Sequence, residues 1–358
     1  MYGDGKPMSK FDEYYEYRVA TIDDVDSIMQ FICDEWGERH ILAYDKNLFL
    51  WQYGREEYAD KTGINMVLML DKLHKTIEGC IGFIAYSDEL ENLQISPAIT
   101  KVRNKGLLPM SGVELIKRQK NIVGEKIQFA SGANPNTIVP LLQKVFKHET
   151  GVMQQFYMLN PDVMEYEIAR IDDPVYPSFI YTDCMIEEIY GIEGIEGFIR
   201  ETNQMDKMSY KSVEFIRKRY FKHPYYKYRV WKIQESNIVK GILIGREIRM
   251  QGNKILRIVD YRGDIHQLSN LGRFLHNMMK EEGYEYIDMM AWPLPTEIMN
   301  RAGFKQLDIN GSNIIPNYFE PYIQKNIRNY VHRTADVIVF KADGDQDRPS
   351  IISETDIL

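Results

Sequence analysis

The stretch Glu35-Trp36-Gly37-Glu38-Arg39-His40 sets an imidazole, two carboxylates, a guanidinium and an indole within six residues. An imidazole with an ordinary pKa of ~6.5 can take up a proton near neutral pH. His40 is therefore a candidate base, Glu35 a candidate catalytic partner, and Trp36 a flat face for a sugar ring. The same stretch also reads as a helix end with solvated charges. A second group is Pro316-Asn317-Tyr318-Phe319-Glu320-Pro321. Its rigid backbone, amide, ring and carboxylate suit recognition of a sugar or nucleotide, with Asn317, Tyr318 and Glu320 as substrate contacts. A packed loop is the alternative. A third group, Asp343-Gly-Asp-Gln-Asp-Arg-Pro349, alternates three carboxylates and has Glu354 at the twelfth place. A calcium loop needs Gly at its sixth place, where Arg348 stands, and Pro349 takes the seventh. No metal is expected. Asp343 and Arg348 remain candidates for contact with a hydroxyl-rich substrate, or members of a local charge network.

Anion binding has one candidate. Arg103 and Lys105 precede Gly106-Leu-Leu-Pro-Met-Ser-Gly112, and a helix is expected from about Val113 to Lys120. The amides of a helix N-terminus attract phosphate. Ser111, Gly112 and Val113 would present them with little side-chain bulk, and a plain strand–helix connection is the alternative. Further on, the run Lys126–Ala130 alternates like a strand. Asn134-Pro-Asn136 follows it, and then Ile138, Leu141, Leu142, Val145 and Phe146 recur at helical spacing. Asn136 or Thr137 can cap that helix, which should end near Gly151.

The remaining elements must position these groups. A helix is expected over 23–36, with Thr21 as cap and Val25, Ile28, Met29, Ile32 and Cys33 on one face. Apolar runs at 65–71 and 79–86 predict a hairpin, and a third strand falls near 95–103. After a join near Ile171–Ser178 the plan recurs: helix 211–220, strands 228–233, 238–245 and 254–260, helix 268–282, strand 286–290, helix 296–302. The order of elements repeats, and the identities do not. Residues 1–17 read as a leader, 18–172 and 173–345 as two domains, and 346–358 as a tail.

Length and composition agree with that division. The chain has 358 residues, 44% hydrophobic and 27% charged, enough for two cores. A net charge of -8 argues against a general nucleic-acid binder. No run approaches the ~18 apolar residues of a membrane span, and the start lacks the pattern of a signal peptide. Cys33, Cys80 and Cys184 form no disulfide or metal spacing. Buried apolar thiols and a cytoplasmic setting are expected.

The order of elements, with "ASGANPNTIVPLLQKVFKHETG" in the first half and "NRAGFKQL" in the second, resembles the GNAT acyltransferases. Val145-Phe146 stands where the first half would carry Gly-Phe. The phrases "NIIPNYFEPYIQKN" and "FKADGDQDRP" look like tandem-GNAT proteins of bacterial surface-polysaccharide clusters. The resemblance implies an α/β fold of two tandem GNAT-like domains, each a mixed twisted sheet flanked by helices. It implies acetyl-CoA or another acyl-CoA as co-substrate, and an amino or hydroxyl group of a sugar or nucleotide-sugar as acceptor. In such domains two parallel strands splay and the pantetheine arm bonds to the exposed backbone. Asn134 and Asn136 would sit at the mouth of the splay, the 35–40 region would line the acceptor pocket, and Tyr157 would stand near the place of the acid for the leaving thiolate. A half-buried strand aromatic is the other reading of Tyr157. The family's loop reads Arg/Gln-x-x-Gly-x-Gly/Ala, whereas Leu107 to Met110 stand here. The second half has Asp260-Tyr-Arg-Gly-Asp264 at its loop, where acidic charge would repel a pyrophosphate. The donor is therefore expected in the first half. A non-catalytic ligand-binding scaffold is the main alternative. A Fem-like transferase using aminoacyl-tRNA fits poorly with the acidic charge.

Overall fold

The computed structural model describes residues 9–36, 40–56, 60–103, 108–180, 184–250 and 252–350. The chain divides into two compact units, Met1–Lys126 with Ser350–Leu358, and Ile127–Pro349.

In the first unit a single turn, α1 (Phe11–Tyr14), leads into β1 (Tyr15–Thr21). Residues 15–17, expected outside the first domain, belong to its sheet, because Tyr15, Glu16 and Tyr17 pair with Asp71, Leu70 and Met69. The ring of Tyr15 is buried in the core with Phe11, Val67 and Leu115. Thr21 and Asp24 form a reciprocal capping box around the turn Ile22–Asp24, and α2 (Val25–Trp36) follows. Its buried side chains are the expected stripe Val25, Ile28, Met29 and Ile32, with Phe31 added. Helix α3 (Lys46–Tyr53), capped by Asp45, was not anticipated. Strands β2 (Gly63–Asp71), β3 (Ile77–Ala85) and β4 (Gln94–Val102) complete an antiparallel meander with β1. Helix α4 (Ser111–Val123) closes the unit and ends on Gly124 at a φ of 71°.

The second unit begins with β5 (Ile127–Ser131), α5 (Ile138–Lys144), β6 (Glu149–Val152) and β7 (Gln154–Leu159). Helix α5 is shorter than its spacing implied: only Leu142 is buried, and Val145 lies beyond its end, 45% exposed. The stretch 171–178 has no helix or strand and lies inside this unit. Then come β8 (Met185–Ile189), α6 (Glu196–Thr202), α7 (Val213–Ile216), β9 (Tyr228–Glu235), β10 (Ile238–Met250) and β11 (Asn253–Gly263). Helix α8 (Gly272–Glu282) crosses over to β12 (Tyr286–Trp292), followed by α9 (Thr296–Arg301) and β13 (Lys305–Gln306). The short strands β14 (Tyr318–Phe319), β15 (Tyr322–Ile323), β16 (Tyr330–Arg333) and β17 (Val339–Phe340) end the unit.

The order of elements β8 to β11, α8, β12, α9 follows that of β1 to β4, α4, β5, α5. The larger sheet of the second unit runs β13-β7-β12-β11-β10-β9-β8, with β11 and β12 parallel and the other pairs antiparallel. Two strands break sequence order. β7 does not return beside β5 but pairs with β12 and β13. The place beside β5 and β6 is taken by β16, from the far end of the chain. The core of this sheet gathers Trp231, Leu243, Leu256, Leu275, Ile287, Met289 and Phe340.

Cys80 is buried, and burial pushes its thiol up to about 12. Cys33 and Cys184 are only partly buried, against expectation. Among the described residues no helix is long and apolar enough to cross a membrane.

Candidate functional site

The corner between β4 and α4 is described from Leu108 onward. Met110 precedes the helix at a φ of 67° and provides no side-chain cap. The hydroxyl of Ser111 turns back to donate to Leu108 O at 2.7 Å. Helical bonding begins when Glu114 N–H donates to Met110 O at 3.1 Å. The amides of Ser111, Gly112 and Val113 thus lie ahead of the ladder. Among the described residues a Cβ added at Gly112 would meet only Val102 Cγ2, at 3.8 Å. Lys105 and Gly106 lie outside the described residues.

Arg103 is committed to its own unit. Its Nη1 donates to Glu35 Oε1 at 3.1 Å and its Nε to Ile77 O at 3.1 Å, with Glu78 Oε1 at 3.5 Å. Its guanidinium also lies 5.2 Å from the centroid of Phe31. Glu35 and Arg103, which sequence spacing left unrelated, are therefore an ion pair. Beside it the rings of Trp36 and His40 have centroids 6.1 Å apart, and Lys101 Nζ lies 5.7 Å from the Trp36 ring. Four of the expected residues, Glu35, Trp36, His40 and Arg103, thus converge with Lys101 in one region of the first unit.

The corresponding place in the second half is closed. β11 and β12 are in parallel register only from Leu256↔Ile287 to Ile258↔Met289. Beyond that the strands part, and the segment Val339–Ala342 stands between them. Phe340 and Val339 pair with Ala291 and Trp292. Lys341 N–H donates to Met290 O at 3.1 Å, and Ala342 N–H to Val259 O at 2.9 Å. The inserted segment therefore bonds to both parted strands.

Buried charges lock it in place. Lys211 Nζ lies 2.7 Å from Asp260 Oδ2 and 2.8 Å from Asp343 Oδ1, and all three side chains are at most 1% exposed. Tyr220 also donates its hydroxyl to Asp260. Burial raises the Asp343 carboxyl above its ordinary pKa, and Lys211 opposes the shift. Arg246 pairs with Asp347 at 2.9 Å, and Tyr228 donates to the same carboxylate at 2.7 Å. The expected local network survives only where Arg348 meets Asp345 at 3.4 Å. Asp343 is a buried structural charge and not a surface substrate contact. Asp260 and Arg262 likewise belong to β11, where Arg262 is bonded to Thr202, Asn203 and Ser209. They do not form a repelling loop; the inserted segment is what closes this half.

The other expected residues are dispersed. Asn134 Oδ1 accepts from Asn136 N–H at 2.9 Å in a local turn, and Thr137 rather than Asn136 precedes α5, without a side-chain cap. Tyr157 is 2% exposed between β12 and β13, and its hydroxyl accepts from Asn313 Nδ2 at 3.2 Å. The strand exchange makes it a core residue of the larger sheet. Asn317 Nδ2 donates to Ile327 O at 2.7 Å, Glu320 accepts from Tyr226 at 2.6 Å, and Tyr318 is partly exposed. Among the described residues no three His, Cys, Asp or Glu side chains group to hold a metal ion.

No family profile matches the sequence, and no curated protein matches it. Solved structures do. A GCN5-related N-acetyltransferase from Anabaena variabilis aligns over 88% of this chain and 72% of its own, at 9% identity and a TM-score of 0.54. A conserved protein of Enterococcus faecalis, described as a probable N-acyltransferase, aligns over 90% and 72%, at 7% identity and a TM-score of 0.54. The fold is that of the GNAT acyltransferases. Both alignments span most of the chain, in keeping with the repeated plan. Sequence reasoning saw Asp347 as one of three alternating carboxylates but missed its partner Arg246, and it missed the role of Lys211 and the inserted segment. The only local signal was the apolar run ending at Phe340, which says nothing about its partner.

Proposed function

We propose that the chain is an acyl-CoA-dependent acyltransferase whose donor is held by the first half. The observation that carries this reading is the closed splay of the second half. A pantetheine arm needs free backbone groups on parted strands, and there Val259 and Met290 already bond to the chain's own Ala342 and Lys341. The open amides at Ser111–Val113 then fall to the pyrophosphate, in the position the resemblance gives them. The acceptor is an amino or hydroxyl group of a sugar or nucleotide-sugar, as in surface-glycan synthesis. It attacks the thioester carbonyl, the C–S bond breaks, and the acceptor proton passes to a base. His40 is the candidate base. Trp36 offers a stacking face, and the Glu35–Arg103 pair fixes the surroundings. Such direct transfer needs positioning and no covalent enzyme intermediate.

A second reading, a scaffold that binds a ligand without catalysis, is favoured by one observation. Arg103 is tied to Glu35 and Ile77 and is not left for a phosphate. Calorimetric titration with acetyl-CoA separates the two. Gly112→Ala should bind like the parent, since its Cβ has space. Gly112→Glu places a carboxylate at the amides and should abolish binding. Binding that survives Gly112→Glu removes the donor from this corner. Binding without turnover on any amino or hydroxyl sugar favours the scaffold.

A further inference from the structure

We propose that a cavity in the second unit binds an uncharged group rich in hydrogen-bond donors, the size of one sugar ring. The cavity measures ≈ 170 Å³, and its walls include Met153, Gln155, Met290, Gln306, Leu307 and Asn317. No charged side chain lines it. Its volume falls short of the ~300–1,000 Å³ of sites for drug-sized ligands, so it holds about one ring of whatever enters it.

Two buried amides set its chemistry. Gln155, 5% exposed, donates its Nε2 to Asp288 Oδ2 at 2.8 Å. Asp288 is itself held by Arg257 at 2.6 Å and can only accept. Asn317, 6% exposed, donates its Nδ2 to the carbonyl of Ile327 at 2.7 Å. Acceptor-only partners fix both amide orientations. Among the described residues neither Gln155 Oε1 nor Asn317 Oδ1 receives a hydrogen bond. Gln154 shows the contrast, with both ends of its amide bonded to Leu294. Neither oxygen is among the buried atoms shut off without a partner, so each is within reach of water, and the O–H or N–H groups of a ligand can take the place of that water. At the exposed rim Gln306 accepts from Thr296, which leaves its Nε2 as a donor.

Charge is selected against on both signs. A carboxylate or phosphate would face two carbonyl oxygens with no cation on the wall. An ammonium would find no carboxylate on the wall, and the Arg257 guanidinium lies behind it, bonded to Asn317 O at 3.2 Å. A neutral hydroxyl-bearing ring fits both the acceptors and the volume. Its use as the acceptor subsite rests on the acyltransferase reading; the binding itself does not.

Calorimetry on the full chain with N-acetylglucosamine, glucosamine and glucuronate tests this, without acyl-CoA. The neutral sugar should bind, and the cationic and anionic sugars at least tenfold more weakly. Gln306→Ala at the rim, and Ile309→Trp, where Ile309 is a further wall residue and the indole fills the cavity, should each weaken binding tenfold or more with an unchanged unfolding midpoint. Gly112→Glu should keep it, so failure of the donor reading is scored separately. No heat from the neutral sugar, equal binding of a charged sugar, or indifference to both cavity variants overturns the proposal.

Discussion

Replacing Lys211 by Met should be among the most damaging single changes in the second unit. The methionine fills most of the volume and removes the charge, leaving Asp260 and Asp343 facing each other without solvent. Asp260 retains the Tyr220 hydroxyl and the Tyr261 N–H at 2.9 Å. Asp343 retains the Phe340 N–H at 2.8 Å on Oδ2, while its Oδ1 loses the contact with Lys211. Breaking a buried ion pair from one side costs about 3–5 kcal/mol. With a urea m-value of about 3 kcal/mol/M, the midpoint should fall by ~1–1.7 M. Asp343 should become the proton acceptor, because burial already raises its pKa and its positive neighbour is gone. A carboxyl whose folded pKa lies above the unfolded one binds more protons when folded. The variant should therefore regain stability as pH falls toward the unfolded value of ~3.9. Adding Asp343→Asn should restore more than adding Asp260→Asn, since Asp260 keeps two partners. Urea unfolding followed by circular dichroism at two pH values gives all these comparisons. A loss below ~1 kcal/mol, or a larger rescue by Asp260→Asn, would refute the reasoning.

Other predictions concern the rest of this unit. Burial lowers His332 to about 3, with His148 adding to the shift, and burial with Arg219 lowers His223 to about 3. Each histidine is protonated only in the unfolded chain between those values and ~6.5, so each costs stability as pH falls, by about 1.4 kcal/mol per pH unit. His332→Phe should flatten the urea-midpoint profile between pH 6.5 and 4.5 relative to the parent, and an unchanged slope would contradict the shift. Gly151→Ala brings a Cβ to 2.6 Å from Trp292 Nε1, which should cost ~1–3 kcal/mol in thermal or urea unfolding. Ala342→Pro deletes the donor to Val259 O and should cost ~1–3 kcal/mol, read in the same way.

The sequence made the local elements legible. The stripe Val25, Ile28, Met29 and Ile32 falls inside α2, and the two meanders lie close to their alternating runs, because side-chain periodicity records which face is buried. It did not disclose which strands exchange. β16 is only Tyr-Val-His-Arg, four residues with no recognisable pattern, and β7 looks like any strand that returns to its neighbour. Pairing across more than a hundred residues leaves no local trace. Helix α3 escaped notice because Leu48, Phe49, Gln52 and Tyr53 include a buried amide. The same limit explains Asp260. Next to Arg262 and Asp264 it resembles a charged loop, and its true partner, Lys211, lies 49 residues earlier. Of the candidate site, the Glu35–His40 stretch and the α4 corner were visible from residue types and helix position. Their association through Arg103 required the meander that brings β4 alongside.

Amide hydrogen exchange with and without acetyl-CoA tests the central claim most directly, because it reports both halves in one experiment. The account predicts slowed exchange at Ser111, Gly112 and Val113, and no change from Val339 to Asp343. Protection appearing at Val339–Asp343, at Val259 or at Met290, with the α4 corner unchanged, would contradict a donor held by the first half.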